Sequence, residues 1–243
     1  MVIKPYTLFT LTLLTWNPSL SPAAELSREQ LSALTAVGSP LKLANRDLSG
    51  LDLSGIDLQG ADLFSANLDG VNLDGAKLHG ANLNRAQLRK ASLRNADLSN
   101  ASLYAVVMDG ADLTGANLAG SRVIGLLNGA NLSQAGLAGA DFGADMANQG
   151  MAPARVEMNN AVLTGADLRG VNLTHAVMAY VKLQNADLRG ARLRWADLSG
   201  ANLSGANLAD ADFNHANLDG AALHGAQGLT TATGLAASVG AKH

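Results

Sequence analysis

The sequence contains no cysteine, so neither a disulfide nor a cysteine-linked lipid anchor is available to its 243 residues. Aromatic residues are scarce, with four Phe, three Tyr and two Trp, and any core must therefore be built from smaller side chains. Net charge is low. A formal charge of −3 lacks the basic excess that nucleic-acid binding normally requires. Long apolar runs are missing too, because the stretch from Tyr6 to Trp16 is too short to span a bilayer.

What the chain has in abundance is leucine at every fifth position, with alanine two residues before it. The phase runs from Leu43 through Leu48, Leu53 and Leu58 to Val123, and again from Met158 to Leu223. Phe213 and Met178 stand in for leucine, and Val171 and Val181 for alanine. A period of five fits no helical stripe, since each step turns the side chain by about 140° around a helix. It fits no long strand either, because an odd period sends alternate leucines to opposite faces. The period is satisfied if each five-residue unit ends in a corner. In Ala111-Asp112-Leu113-Thr114-Gly115, Ala111 and Leu113 then point inward and Asp112 and Thr114 outward. Gly115 supplies the positive φ of the third residue of a type II turn. Four such sides close a coil of about 20 residues, and successive coils stack about 4.8 Å apart.

The units Ala116-Asn117-Leu118, Ala186-Asp187-Leu188, Ala201-Asn202-Leu203 and Ala206-Asn207-Leu208 carry the pattern A-(D/N)-L-x-x. In this the chain resembles the pentapeptide-repeat family over roughly residues 41 to 229. A leucine-rich repeat would need a unit of 20 to 29 residues, and a hexapeptide helix a period of six. The resemblance implies an all-β fold, a right-handed quadrilateral β-helix, and the sequence adds a short N-terminal capping helix. The expected organisation is a signal peptide over 1–24, a cap over 25–40 with its helix at 27–37, a solenoid over 41–229 and a tail over 230–243. The signal peptide is read from Lys4, the apolar stretch and Pro22-Ala23-Ala24. The cap is read from the capping box Ser27-Arg28-Glu29-Gln30, with Gly38 and Pro40 stopping the helix. In the tail, two readings stand: Leu235 and Val239 cover the last coil, or the tail is disordered.

Two slips interrupt the phase. Val123 to Leu132 is nine residues, one fewer than two units, and Phe142 to Met158 is sixteen, one more than three. The second slip is expected to be an irregular loop at about 143–157, first a tolerated surface insertion and, as the alternative, a candidate binding loop through Met146, Met151 and Arg155.

Outward residues 20 apart should stack. Asp57, Lys77 and Asp97 form one row, Asp69, Arg89 and Asp109 another, and Asp74 lies below Arg94. These alternating charges need no function beyond register and solubility. The second block is less balanced. Arg169, His175, Tyr180, Arg189, Arg194, Trp195 and His215 form the candidate partner-binding face, Trp and Arg being typical of interface hot spots. His175 and His215 would sit two coils apart, about 9.6 Å, with the indole between them. Zinc needs nitrogens about 2.1 Å away, so no metal site is expected. No catalytic residues and no cofactor are expected either. Serines lack a histidine base, and the Gly-rich stretches lack the lysine of a phosphate loop.

The sequence thus points to a non-catalytic exported scaffold that binds a protein or envelope component through an outer face. The periplasm is the expected compartment, with the thylakoid lumen and the medium as alternatives. The partner is a protein, nucleic acid is disfavoured, no transmembrane segment is expected in the mature chain, and a homodimer is left open. The family resemblance also implies an alternative, a DNA-mimicking topoisomerase-binding protein of the quinolone-resistance type. That mimicry requires a strongly acidic surface, which Lys77, Arg89, Arg94, Arg169 and Arg189 dilute here.

Overall fold

A computed structural model describes residues 30–31, 40–147 and 154–235. Each five-residue unit places one residue in a parallel bridge and two in a turn. The inward residues set this shape. From Leu58, the carbonyl accepts the Ala61 N–H at 3.0 Å, and Gly60 between them has φ of 63°. The residue before it is not left-handed, which is the type II pattern. Leu58 N donates up to Lys77 O at 2.8 Å and Asp62 N donates down to Leu41 O at 2.8 Å, so each unit bonds to the coil above and the coil below.

Four units make a coil, and the bridges form four ladders. Ladder 1 runs from Lys42 to Thr233, ladder 2 from Asp47 to Asn217, ladder 3 from Asp52 to Ala222 and ladder 4 from Asp57 to Gln227. The Leu and Ala slots fill the interior: Leu53, Ala61, Leu113, Phe142, Leu168 and Phe213 are all completely buried. Among the described residues, one buried inward slot is polar. Ser121 occupies an alanine position, 1% exposed, and its Oγ has no hydrogen-bond partner. Ser121→Ala should raise the unfolding free energy by about 1 kcal/mol, because it removes a buried unsatisfied hydroxyl and leaves a repeat residue. A urea midpoint below that of the parent would contradict this.

Both slips fall on the corner that joins ladder 1 to ladder 2. There the chain forms the two continuous strands, β1 (Ser102–Val107) and β2 (Arg122–Leu126), in place of turns. Tyr104 pairs with Ile124 and Val106 with Gly125, so β2 lacks a counterpart to the corner residue Ala105. The missing residue is thus one corner. Ladder spacing falls to 19 residues, as in Asp112↔Asn131. The second slip begins after Ala144, whose N–H donates to Thr174 O at 3.0 Å in the coil above. The chain re-enters at Val156 and Glu157, Glu157 bridging both Leu126 and Val177. The expected loop at 143–157 therefore narrows to an excursion over 145–155. Gly143, Ala144, Val156 and Glu157 belong to regular units, since sixteen residues comprise one unit and eleven extra, not three units and one extra. Asp145 N bonds to Ala154 O at 2.8 Å and closes its base. Spacing there rises to 31 residues, as in Asp141↔Asn172.

At the C-terminal end, Thr233 bridges Asp212 and Phe213 N donates to Thr233 O at 2.8 Å. The ladder thus extends four residues past the expected limit of 229. Leu235 packs on the core, while Val239 lies outside the described residues. Gln30 and Leu31 are helical, and Leu31 is wholly buried in the core. The rest of the expected 27–37 helix, the 1–24 segment and Met151 lie outside the described residues. Among the described residues, no helix is long and apolar enough to cross a membrane.

Candidate interaction surface

The candidate residues belong to outward slots and corners of separate ladders and do not form one face. Arg169 and Arg189 lie beside the bridge residues Asp167 and Asp187 of ladder 4. Arg194 follows the ladder 1 bridge at Arg192. His175, Trp195 and His215 occupy the corner between ladders 1 and 2, and Tyr180 the corner between ladders 2 and 3. Arg194 adjoins the aromatic corner directly, whereas Arg169 and Arg189 lie one corner away on ladder 4 and Tyr180 one corner away in the other direction.

The arginines are also not free cations. Arg169 contacts Asp167 at 2.7 Å, Arg189 contacts Asp187 at 2.6 Å and Arg194 contacts Asp212 at 3.4 Å. Arg94 departs from its expected row: its backbone N–H bonds to Asp74 at 2.9 Å, but its guanidinium turns to Asp112 at 2.6 Å. Lys77 and Arg89 keep theirs, with Asp57 at 3.7 Å and Asp69 at 3.2 Å. The hydrogen bond that each accepts from Arg169 and Arg189 holds Asp167 and Asp187 below the ordinary carboxylate range. A Ser49 hydroxyl does the same for Asp47. At Asp212, burial pushes upward, yet the hydrogen bonds from Asn214, Thr233 and Arg194 together prevail.

A carboxyl lowered on folding stabilises the fold above its unfolded pKa of about 3.9 and ceases to do so as pH falls through the folded value. Stability should therefore hold level from neutral pH to about pH 5 and fall below about pH 4. Thermal melts across pH 2–7 check it; a loss beginning near pH 6 would implicate histidines instead.

The aromatic corner is a real stack. The indole of Trp195 lies parallel to both imidazoles, 6.0 Å from His175 (interplanar angle 4°) and 4.0 Å from His215 (9°). The indole is thus stacked between two imidazoles, and Trp195 remains 51% exposed. All three residues and Tyr180 adopt left-handed φ of 57–62°. A bulky L-residue pays about 1–2 kcal/mol for that conformation. Tyr180 recovers little by burial, being 64% exposed with its ring laid over Gly200. Tyr180→Gly should therefore stabilise the protein by up to about 1 kcal/mol after the unfolded-state cost of glycine. A lowered denaturation midpoint would show that the ring contributes more than it costs.

Met146 is 60% exposed and Arg155 exposed, at the two ends of the excursion. Sequence reasoning missed what anchors them. Arg122 donates to Gly143 O at 2.7 Å and pairs with Asp141 at 3.1 Å from below, while Asn172 donates to Asp141 at 2.6 Å from above. A Cβ on Gly143 would overlap the Asn172 amide. Adding 31 to the residue number at this level would have found the Asn172 partner.

The Pentapeptide repeats family profile matches the chain in eight copies, over residues 43–80, 81–120, 157–194 and 191–227. The chain is a pentapeptide-repeat protein. The unmatched centre, 121–156, holds the corner deletion and the excursion. Pentapeptide-repeat proteins of known structure share the right-handed β-helix solenoid. Full-length QnrB1, a plasmid-mediated fluoroquinolone resistance protein, is 19% identical, covers 74% of this chain and 92% of its own, and aligns with a TM-score of 0.52. HetL, involved in heterocyst differentiation regulation in the cyanobacterium Nostoc sp. Strain PCC 7120, is 34% identical over 82% of this chain and 92% of its own, with a TM-score of 0.35. A pentapeptide-repeat protein from the Arabidopsis thaliana thylakoid lumen is 31% identical over 44% of this chain and 69% of its own, with a TM-score of 0.26. No curated protein of assigned function matches.

Proposed function

We propose that this pentapeptide-repeat protein is a non-catalytic, exported scaffold, a four-sided column that binds a protein partner or envelope component through its outer surface. The observation that carries this reading is the filled interior. Among the described residues, every inward position from Leu53 to Phe213 except Gly125 is 0–7% exposed, and recognition is left to outward slots, corners and the excursion. Export rests on the N-terminal sequence pattern, and the periplasm is the compartment proposed. The likeness to QnrB1 is one of fold and transfers no target.

Fractionation with crosslinking in cells tests both halves. The expected result is a processed chain in the exported fraction, with crosslinks from its outer positions to a protein partner. Full-length chain confined to the cytoplasm, with purified protein shielding gyrase from a quinolone in a supercoiling assay, would overturn the reading in favour of topoisomerase binding.

A further inference from the structure

Ladder 2 differs from the other three in its upper half. The outward bridge slot normally holds Asp, Asn, Ser, Gln, Lys or Arg. On ladder 2 the consecutive bridge residues Val107, Leu126, Glu157 and Val177 make three of four apolar. Among the described residues, the only other bridge slot with an apolar side chain larger than alanine is Val162, on ladder 3. Leu126 is 36% exposed, although it sits in a regular rung. The exposed Met146 leaves the corner at one edge of this strip, and exposed Tyr180 stands at the other.

The charge on the same wall is one-sided. From Val106 upward, ladder 2 segments carry Asp109, Glu157, Asp197 and Asp219 and no Lys, Arg or His. None of these four has a basic partner within ion-pair distance among the described residues. On ladders 1 and 4 the arginines at 122, 169, 189 and 194 are each paired with an aspartate. Arg155 adjoins the strip at the end of the excursion, and the rung beneath the strip carries Arg89, which pairs with Asp69, and Lys90.

We propose that the upper half of ladder 2 docks a basic amphipathic helix of a partner protein. The apolar rungs rise about 4.8 Å each. A helix lying along the column brings a side chain to the same line about every 5.4 Å, whereas alternate residues of an extended strand recur about every 6.8 Å. Over the four rungs from Val107 to Val177 the helix drifts out of step by about 1.8 Å and the strand by about 6 Å. Leucines on the helix cover Val107, Leu126 and Val177, a Lys or Arg between the second and third of them meets Glu157, and another beyond the third meets Asp197. This deepens the scaffold reading and rests on it.

The test uses the full chain and a labelled 18-residue Leu/Lys amphipathic helix, read by fluorescence anisotropy. The expected result is saturable binding that weakens at least tenfold in L126N/V177N and at least tenfold in Glu157→Gln with Asp197→Asn. Asparagine is a repeat residue in the bridge slot, and a melt matching the parent confirms each fold. The control pair Val162→Asn with Asp210→Asn, off ladder 2, should bind as the parent does. Absence of binding to the parent, unchanged binding in both ladder 2 variants, or equal binding of an oligolysine of the same charge would overturn the proposal. Photo-crosslinkers at positions 177 and 162 separate the two readings. A partner captured through 162 but not 177 overturns the docking proposal and keeps the scaffold, and no partner from either position counts against the scaffold itself.

Discussion

Gly125→Ala should destabilise the protein by about 3 kcal/mol or more, through overpacking and a forbidden backbone conformation acting together. Gly125 has φ of 150°, which side chains rarely adopt. A Cβ there would overlap the carbonyl oxygen of Val106 and come within 2.8 Å of its nitrogen. Both obstacles are backbone of the neighbouring coil, so no side-chain rotation relieves them. The cause is the missing corner residue between Ile124 and Gly125. Without it the chain takes the corner in a continuous strand, and β2 slides into the coil below. The sharper form of the prediction is a rescue. Inserting one asparagine after Ile124 rebuilds a five-residue unit and returns Gly125 to an ordinary alanine slot. In that background Gly125→Ala should become stabilising, since alanine loses less backbone entropy than glycine on folding. Chemical denaturation of the four proteins forms a double-mutant cycle. Additivity of the two changes would show that the deletion is not what makes Gly125 obligatory.

The general form of the fold was legible because one physical constraint repeats. Leu53, Leu58 and Leu63 cannot share an interior at five-residue spacing unless the chain turns between them. The corner chemistry was legible only in part. Glycine was the expected corner residue, yet Asn95, Arg85, Lys90 and Trp195 take the same left-handed φ. Asparagine tolerates it through its short polar side chain, whereas nothing local announces arginine or tryptophan there.

The slips were visible as numbers and not as places. Nine residues between Val123 and Leu132 allow the loss in either unit, and only the pairing of Val106 with Gly125 locates it. This matters for the site. Counting by 20 across the centre misaligns every upper row, because the true steps are 19 and then 31. Val107, Leu126 and Val177 therefore look unrelated in sequence and are neighbours on one wall. Ion pairs were legible within a unit or a row, as for Arg169 and Asp167. They were not legible where a long side chain chooses between carboxylates, as Arg94 does in leaving Asp74 for Asp112.

Phe142→Ala should cost about 3–5 kcal/mol, the ordinary loss for a fully buried ring, and should also split the unfolding transition. Phe142 is completely buried, in the last rung before the excursion. Its N–H donates to Asn172 O at 2.8 Å, and Val123 N below donates to Asp141 O at 2.9 Å. In a solenoid, stability is approximately a sum over coils and the interfaces between them. The interface at Phe142 joins two regular arrays across both a deleted corner and an excursion, so it has fewer regular contacts to share a cavity among. Emptying it should let residues 41–142 and 158–233 unfold separately. Calorimetry would then show two endotherms, and hydrogen exchange would show different protection above and below the excursion. Phe213→Ala is the informative comparison. It removes an equally buried ring near the C-terminal end, where loss of the terminal coil shortens the column but divides nothing, and a single transition should remain. Phe142→Leu restores the residue that the repeat uses elsewhere and should cost less than about 1.5 kcal/mol with one transition. A single transition in Phe142→Ala would mean that the pairing of ladders across the excursion, from Leu126 to Glu157 and from Asp141 to Asn172, couples the two arrays without help from the core.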